Sequence, residues 1–407
     1  MRPGRRRAGL CLSLVPASQE RAPRGQERRA TGVSTIRGMK SFDVLVRGAG
    51  IVGRCLALAL ARNGLQVALR AQPPRSAGAV DVRAYALNAA SVALLRGLKV
   101  WDALPEGAAT QVHEMRVHGD AAGATLEFSA WQQRVAELNW ITDAAVLERE
   151  LERAVQFAPH ITVTQDDVPA TLTALCEGKA SSTRAAYGVQ FEQHDYGQVA
   201  IAARLVATRA HQGVAQQWFG APDVLALLPF DSPQPQSSYA LVWSLPKERS
   251  DVLMAQDNAA FELALMQATG GAAGELRLAS ERAAWPLVLA RAEAWCGPGW
   301  VLLGDAAHVV HPLAGQGLNL GLADVAALTT VVAGREPWRA LGDEKLLRRY
   351  ARQRAAPTWA MGQVTDGLQR LFSSHAPGLA ELRNRGLTLV NHLPPVKRWL
   401  VARALNS

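Results

Sequence analysis

Residues 42–70 read FDVLVRGAGIVGRCLALALARNGLQVALR, and this stretch decides the fold class. Its apolar run at 42–47 predicts a strand, and a glycine turn at 48–53 follows directly. Leucine, alanine and valine then recur at helical spacing over 51–63, and the apolar run at 66–69 predicts a second strand. Strand, turn, helix and strand in this order predict a βαβ unit and therefore a Rossmann-type α/β domain.

The glycine turn carries the spacing G-x-G-x-x-G at Gly48, Gly50 and Gly53. In a dinucleotide site the first glycine makes the tight turn, the second lets a pyrophosphate approach the backbone, and the third lets helix and strand pack closely. The helix N-terminus then faces the phosphates with its N–H groups. The glycines therefore predict a cofactor-binding turn, with a purely structural turn as the alternative.

Two positions near this turn depart from the dinucleotide pattern. The acidic residue that holds the ribose hydroxyls belongs about 20 positions further on, where the sequence reads Leu-Arg-Ala-Gln at 69–72. No carboxylate is available at Ala71, so either another group binds the ribose or the affinity is reduced. Arg47 directly precedes the glycines, and two interpretations of it stay open: it complements the pyrophosphate, or it points to solvent.

The rest of the chain alternates between helical and extended patterns. Apolar spacing predicts helices at 91–98 and 143–157 and strands at 161–164 and 300–303. Alternating residues predict further strands at 189–191, 199–205, 215–219, 224–229 and 238–245. A β-rich stretch of this length inside an α/β chain predicts a sheet lobe inserted in a nucleotide-binding domain, and from residue 317 onward the pattern is mainly helical.

A second motif, Gly304-Asp305-Ala-Ala-His308, directly follows the predicted strand at 300–303. An aspartate at the carboxyl end of a strand is placed to accept hydrogen bonds from ligand hydroxyls that lie close to the backbone. The alternative is a helix N-cap, a position that aspartate often occupies.

The third motif, HPLAGQGLNLGLAD at 311–324, has the strongest functional signal. Pro312 stiffens the backbone that leads to the predicted helix, and Gly315 and Gly317 let backbone N–H groups face a ligand at the start of that helix. Gly317 and Gly321 are four residues apart and therefore share a helix face, which allows close packing. Because glycines are costly inside a helix, the motif predicts a ligand site, and the positive end of a helix N-terminus stabilises negative charge on such a ligand.

The net charge of +9 lies mostly in the first 38 residues, which carry nine arginines and two glutamates. The remaining chain is nearly neutral, so we expect no nucleic-acid partner. Three interpretations of residues 1–38 stay open: a mitochondrial transit peptide, a disordered basic extension, or a start assigned too early with Met39 as the first residue. The four cysteines are far apart, which indicates reduced thiols in a cytosol-like compartment and no metal site.

The three motifs, in this order and spacing, resemble the flavoprotein aromatic hydroxylases related to para-hydroxybenzoate hydroxylase. HPLAGQGLNLGLAD, with GDAAH just before it, is similar to the ubiquinone-biosynthesis hydroxylase branch almost letter for letter. The likeness runs from residue 42 to the C-terminus and is strongest at 304–324. Further similar stretches lie at 81–88 (DVRAYALN), 140–147, 226–229, 239–243 and 285–287.

The resemblance implies an α/β fold in which a Rossmann-type FAD-binding domain carries an inserted β-sheet substrate lobe and a helical C-terminus. The implied parts are a basic extension at 1–38, a discontinuous FAD-binding domain at 39–185 and 285–345, a β-rich substrate lobe at 186–284, and a C-terminal helical region at 346–407.

The resemblance also implies FAD as the cofactor and NAD(P)H as the transient reductant. Cofactor-binding residues are expected at Gly48, Gly50, Gly53, Arg83, Gly304, Asp305, Gly315, Gly317, Leu318 and Asn319, with Arg83 near the FAD phosphates. Catalytic residues are expected at His311, Pro312, Gly315 and Gln316. Either His308 or His311 tunes proton movement, with packing and hydrogen bonding as the alternative role.

One motif departs from the family pattern. Residues 176–184 read CEGKASSTR, in which Glu177 replaces the aspartate of the family's D-G motif, and the stretch before it is shorter. That motif serves both FAD and the nicotinamide donor, so the change puts efficient reduction by NAD(P)H in question. In the substrate lobe, Phe230, Tyr239 and Trp243 are expected either to cover the substrate ring or to be ordinary sheet core.

The family chemistry implies that NAD(P)H reduces FAD and that the reduced flavin and O2 hydroxylate a phenol ring. Three classes of function compete: an aromatic hydroxylase of quinone biosynthesis acting on a lipid-tailed phenol, a monooxygenase of a soluble aromatic metabolite, and a non-catalytic flavoprotein. A basic amphipathic helix predicted at 395–405 lies either on an anionic membrane or on the protein's own body. The expected location is the cytoplasm, peripheral on the inner membrane, or the mitochondrial matrix if residues 1–38 are a transit peptide.

Overall fold

The computed structural model describes residues 41–71, 81–119, 125–220, 222–310 and 316–373 of the 407-residue chain. Six of the described strands form one sheet in the order β16 (Cys296–Gly297), β17 (Trp300–Leu302), β9 (Ala170–Leu175), β1 (Phe42–Arg47), β2 (Val67–Arg70) and β8 (Ile161–Thr164). From β17 to β8 all neighbouring strands are parallel. Their carboxyl ends therefore meet at one edge, which is where ligands bind in such sheets.

Helix α1 (Ile51–Arg62) connects β1 to β2 and is buried along most of its length. The sheet covers one side of α1, and helices α4 (Ala144–Gln156) and α8 (Gly317–Ala333) pack against α1 as well. Its apolar residues include Leu56 and Leu60, both fully buried, and each such leucine contributes roughly 1.5–3 kcal/mol of burial free energy. This packing fixes the glycine turn at the start of α1.

A second, larger sheet consists mainly of antiparallel strands. Its described order is β18 (His308–Val309), β15 (Ala283–Ala292), β10 (Phe191–Ala207), β13 (Ser238–Pro246), β12 (Asp223–Phe230), β11 (Val214–Gly220), β5 (Glu114–His118) and β6 (Thr125–Ser129), with β14 (Leu276–Leu278) paired to β10. A small sheet contains β3 (Ala84–Leu87), β7 (Asn139–Asp143) and β4 (Ala109–Val112). The other described helices are α2 (Ala89–Gly97), α3 (Ala130–Gln133), α5 (Ser182–Ala186), α6 (Lys247–Ala255), α7 (Asn258–Thr269) and α9 (Glu344–Ser373).

This arrangement confirms the predicted α/β fold class with an added β-sheet lobe and a helical C-terminal part. The predicted break between strands at 189–191 and 199–205 is wrong, because one strand, β10, runs continuously from Phe191 to Ala207. The predicted strand residues 189 and 190 lie outside it. A register shift lies between Asp195 and Val199, where Gly197 has a φ of +64°, and this bulge lies in the polar stretch that hid the strand from the sequence pattern. The large sheet also includes β5, β6 and β15, so it extends beyond 186–284; the domain boundaries themselves stay a prediction.

Helices α8 and α9 pack against each other and form the described part of the C-terminal region. The basic extension at 1–38 and the amphipathic helix expected at 395–405 lie outside the described residues. Across the residues that the structure does describe, no helix combines the length and the apolar character needed to cross a bilayer.

Candidate functional site

The glycine turn lies at the carboxyl edge of the parallel sheet, and each of its glycines has a different surrounding. Gly48 has a φ of +107°, and a Cβ placed there would lie 2.4 Å from the Cys176 carbonyl oxygen. A Cβ at Gly53 would lie 1.9 Å from the Gly48 carbonyl oxygen. At Gly50, by contrast, no described atom lies within 4 Å of such a Cβ. Gly48 and Gly53 therefore close the turn, whereas Gly50 leaves space for a ligand.

The N-terminus of α1 is also open for a ligand. Gly50 is the N-cap, it has no side chain to bond the first N–H groups, and the first turn of α1 contains no acidic residue. The N–H groups and the positive end of the helix dipole therefore face the space in front of Gly50. This is the arrangement that binds a pyrophosphate.

The N-terminus of α8 is a second open helix end at the same sheet edge. Gln316 is the N-cap and makes no capping hydrogen bond through its side chain, and no acidic residue lies in the first turn. A Cβ at Gly317 would meet no described atom within 4 Å, whereas a Cβ at Gly321 would lie 2.7 Å from Val52 Cγ2. Gly321 therefore lets α8 pack directly on α1, and Gly317 faces open space.

The side chain of Asn319 anchors α8 to the protein. It is buried, its Oδ1 accepts from Asn88 N at 3.0 Å and from Ser91 Oγ at 2.7 Å, and its Nδ2 donates to Ala86 O at 2.8 Å. These bonds hold the start of α8 against β3 and α2. The side chain of Asn319 is thus used within the protein, and a cofactor contact through its backbone stays a prediction. Leu318 is half-buried against the core, and its expected cofactor contact also stays a prediction.

Asp305 lies in a short 3-10 turn at Gly304–Ala306, directly after β17. Its side chain is exposed and makes no capping bond, so the N-cap interpretation does not apply. Desolvation raises the pKa of Asp305, although the charges of His308, Lys179 and Arg83 oppose that shift. Asp305 is thus a hydrogen-bond acceptor in a cleft whose other charged groups include Lys179 and Arg83.

Arg83, expected near the phosphates, is held by two carboxylates. Its Nη2 lies 2.6 Å from Asp81 and 3.2 Å from Glu148, and Nη1 donates to Tyr85 Oη at 3.0 Å. The hydrogen bonds that Arg83 donates to Asp81 raise the pKa of Arg83, so the residue is charged at every physiological pH. Its side chain is 43% exposed, which leaves the guanidinium within reach of a ligand. A phosphate contact of Arg83 stays a prediction.

His308 belongs to a buried charge cluster that the sequence did not reveal. Asp324, at 0% exposure, accepts from His308 Nε2 at 2.7 Å, from Arg354 Nε at 2.8 Å and from the Gly304 backbone N–H at 3.0 Å. Burial alone would raise the pKa of Asp324, but the charges and hydrogen bonds of His308 and Arg354 outweigh it and leave the pKa lowered. This buried charge cluster (His308, Asp324 and Arg354) connects the second motif to α8 and α9, which favours the hydrogen-bonding role for His308.

Four other charged residues meet where β1, β2, β8 and β9 end. Arg47 contacts both Asp167 and Glu177, and Arg70 lies within 4 Å of the same two carboxylates. The interpretation that Arg47 points to solvent is therefore wrong, because its largely buried guanidinium is ion-paired within the protein. A contact of Arg47 with the pyrophosphate stays a prediction. We call these four residues the strand-end charge cluster. Sequence reasoning missed Asp167; the available signal was the pair Asp166-Asp167 directly after the predicted strand at 161–164.

Three expected site residues, His311, Pro312 and Gly315, lie outside the described residues, and the catalytic roles predicted for them and for the buried Gln316 stay predictions. Phe230, Tyr239 and Trp243 are each 1% exposed. Each of the three packs in a hydrophobic cluster of the large sheet, so the sheet-core interpretation applies to all of them. Within the described residues, no group of histidine, cysteine and acidic side chains is arranged to hold a metal ion.

Open helix N-termini at Gly50 and Gly317, glycines that make room for a ligand, and the acceptor Asp305 define a dinucleotide-binding enzyme built on a parallel sheet. The family model "FAD binding domain" matches residues 130–365. The chain belongs to this family of FAD-dependent monooxygenases, and its cofactor is FAD.

Two relatives and one solved structure give the extent of the similarity. "Ubiquinone hydroxylase UbiL" of Rhodospirillum rubrum is 31% identical, covering 94% of this chain and 94% of that protein. "3-demethoxyubiquinol 3-hydroxylase" of Escherichia coli is 30% identical, and the match covers 89% of this chain and 98% of that protein. The structure of p-nitrophenol 4-monooxygenase PnpA of Pseudomonas putida matches with a TM-score of 0.71 at 16% identity, covering 90% of this chain and 99% of that one, and it supports the fold alone.

Proposed function

We propose that this protein hydroxylates the aromatic ring of a lipid-tailed phenol, a precursor of ubiquinone, using NAD(P)H and O2. The observation that carries the proposal is the full-length similarity to two proteins named for ubiquinone hydroxylation, combined with the open glycine turns at Gly50 and Gly317. The proposal is supported by the space in front of both helix ends, since no described atom lies within 4 Å of a Cβ placed at either glycine. The carboxylate of the altered Glu177 is ion-paired with Arg47, and its effect on reduction by NAD(P)H stays a prediction.

Different residues would hold different parts of the cofactor. The N–H groups at the start of α1 bind the pyrophosphate, and Asp305 accepts hydrogen bonds from hydroxyls of the ribityl chain. The positive end of α8 stabilises negative charge on the reduced ring system. When bound, FAD supplies the electron transfer from NAD(P)H and the reaction with O2. The buried charge cluster positions Gly304 and α8 relative to each other, since Asp324 bonds the Gly304 N–H directly.

The lipid tail of the substrate agrees with a sequence feature near the C-terminus. The sequence at 395–405 predicts an amphipathic helix, in which apolar residues that include Trp399 would share one face beside Lys397, Arg398 and Arg403. A basic amphipathic helix of this kind binds anionic membranes, where a prenylated phenol resides. Co-sedimentation of the full chain with vesicles of anionic lipid, compared with a chain ending at residue 394, tests this contact. Equal binding of both forms would refute it.

The test of the reaction begins with the purified full chain. We expect a yellow protein with bound FAD, NADPH oxidation that a prenylated phenol stimulates, and a product with one added oxygen atom by mass spectrometry. Stimulation by an untailed phenol alone would instead favour a soluble aromatic substrate. A colourless protein that FAD does not reconstitute would contradict both functions.

A further inference from the structure

The end of β2 lacks the acidic residue of the dinucleotide pattern, yet a carboxylate reaches the same place from the next strand. Arg70 occupies the last position of β2 and pairs in parallel register with Thr164 of β8. The segment after β8 is fastened to β2, since Ala71 N donates to Thr164 O at 2.9 Å and Arg70 Nε donates to Gln165 O at 3.1 Å. This segment brings Asp167 to the carboxyl edge of the sheet.

Asp167 extends across the end of β2 as far as β1. Its Oδ1 forms a short ion pair with Arg47 Nη1 and lies 3.5 Å from Arg70 Nε. Arg47 directly precedes Gly48, so the Asp167 carboxylate stands beside the glycine turn. In dinucleotide-binding folds, the acidic residue that holds the adenosine ribose lies at the end of the second strand, close to the glycine turn.

The other carboxylate of the strand-end charge cluster is not available to a ligand. The side chain of Glu177 is 7% exposed, and both its oxygens are used: Oε1 by Arg47 at 2.9 Å and Thr183 at 2.9 Å, Oε2 by Ser181 at 2.6 Å. Asp167 is 54% exposed, and among the described residues nothing donates a hydrogen bond to its Oδ2. One carboxylate oxygen of Asp167 therefore faces open space.

We infer that Asp167 accepts the hydroxyl groups of the adenosine ribose of FAD, in place of the missing acidic residue at the end of β2. Arg70 is then a positioning residue, because it holds the segment after β8 and the Asp167 carboxylate together. Each oxygen of a carboxylate has two lone-pair sites, so the open Oδ2 of Asp167 has room for both hydroxyls of the ribose. The inference rests on FAD as the cofactor and is independent of the substrate.

The test compares the binding of FAD with that of a FAD analogue whose adenosine ribose lacks the 2′-hydroxyl. Full-length wild-type protein, stripped of FAD, is titrated with each, and flavin fluorescence gives the Kd. We expect the wild type to bind FAD about tenfold more tightly than the analogue, which corresponds to about 1.4 kcal/mol. In Asp167→Asn the Kd for FAD should rise about tenfold, while the Kd for the analogue stays nearly constant.

Asp166→Asn is the matched control, because it makes the same charge change one residue earlier, and it should leave both Kd values unchanged. Thermal unfolding of Asp167→Asn checks its folding, and the exposure of Asp167 predicts little change. If Asp167→Asn raised the Kd for FAD and the Kd for the analogue equally, Asp167 would have only a structural role and the inference would be overturned. Unchanged Kd values for both ligands would overturn it as well. This test measures FAD binding alone. A negative result would not contradict the proposed hydroxylation, and a protein without hydroxylase activity would not contradict Asp167 as a ribose contact.

Discussion

The buried charge cluster and the strand-end charge cluster lie beside the same carboxyl edge of the parallel sheet, but they differ in access to solvent. Asp324 is fully buried and bonded on both oxygens, whereas Asp167 is half-exposed and bonded on one. A buried carboxylate that pairs with a buried arginine holds elements together, because its removal leaves the cation without compensation. A half-exposed carboxylate contributes little to stability and is available to a ligand. Exposure therefore separates a structural charge from a binding charge in this molecule.

The largest expected effect follows from removing the centre of the buried charge cluster. Asp324→Ala leaves Arg354 and His308 buried without their partner, so the free energy of unfolding should fall by about 3–5 kcal/mol. Denaturant titration followed by circular dichroism measures this loss. Glu344→Gln is the control, since its ion pair with Arg348 on α9 lies at the surface and should change stability by less than about 1 kcal/mol. Similar losses in both variants would refute the structural role of the buried charge cluster.

The next effect concerns affinity with stability unchanged. Gly50 has a φ of −76°, which any residue adopts, and no described atom would clash with a Cβ there. Gly50→Ala should therefore fold normally but fill the space for the pyrophosphate, raising the Kd for FAD on the order of 100-fold. Gly97→Ala also faces open space, at the end of α2, and should change neither property. Tight FAD binding by Gly50→Ala would show that the pyrophosphate lies elsewhere.

A smaller effect is expected at Asp305. Asp305→Asn keeps the shape of the side chain but removes the charge that strengthens its hydrogen bonds to ligand hydroxyls. The Kd for FAD should rise about tenfold, since a hydrogen bond to a charged group contributes roughly 1.5–3 kcal/mol. Fluorescence titration measures this change. An unaltered Kd would mean that Asp305 does not contact the cofactor.

The smallest effect is a pH dependence of stability at Glu177. Burial would raise the pKa of this carboxyl, but hydrogen bonds from Ser181, Arg47 and Thr183 lower it below its usual 4.5. Ionised Glu177 therefore stabilises the folded protein above about pH 4.5, and this contribution is lost as the pH falls through the lower folded pKa. The stability difference between wild type and Glu177→Gln should shrink as the pH decreases below 4.5. A constant difference would contradict the lowered pKa.

The sequence predicted what depends on local periodicity. Strand β1, helix α1 and strand β8 follow from apolar spacing alone, and the roles of Gly48 and Gly53 follow from the turn that joins them. The family resemblance of the motif at 311–324 implies a cofactor contact for Asn319, and the sequence alone gives no structural role for Asn319 or Asp324. The partners that explain them are distant in sequence: Ser91 for Asn319 and Arg354 for Asp324.

The candidate site also depends on contacts between residues that are distant in sequence. Asp167 becomes a binding candidate only when β8 is seen to lie beside β2, because the sequence does not give the order of strands in a sheet. Gly50 and Gly317 are distinguished from Gly53 and Gly321 only by the atoms in front of each. Packing between distant segments therefore determines which motif residues bind and which support.

The account is tested most directly by one reaction with the purified, FAD-loaded full chain, NADPH, a prenylated phenol and O2 labelled with the heavy oxygen isotope. We predict a hydroxylated ring that carries one labelled oxygen atom, formed in proportion to the NADPH consumed. NADPH consumption that leaves the phenol unlabelled, or a protein that holds FAD but does not oxidise NADPH at all, would contradict the proposed hydroxylase.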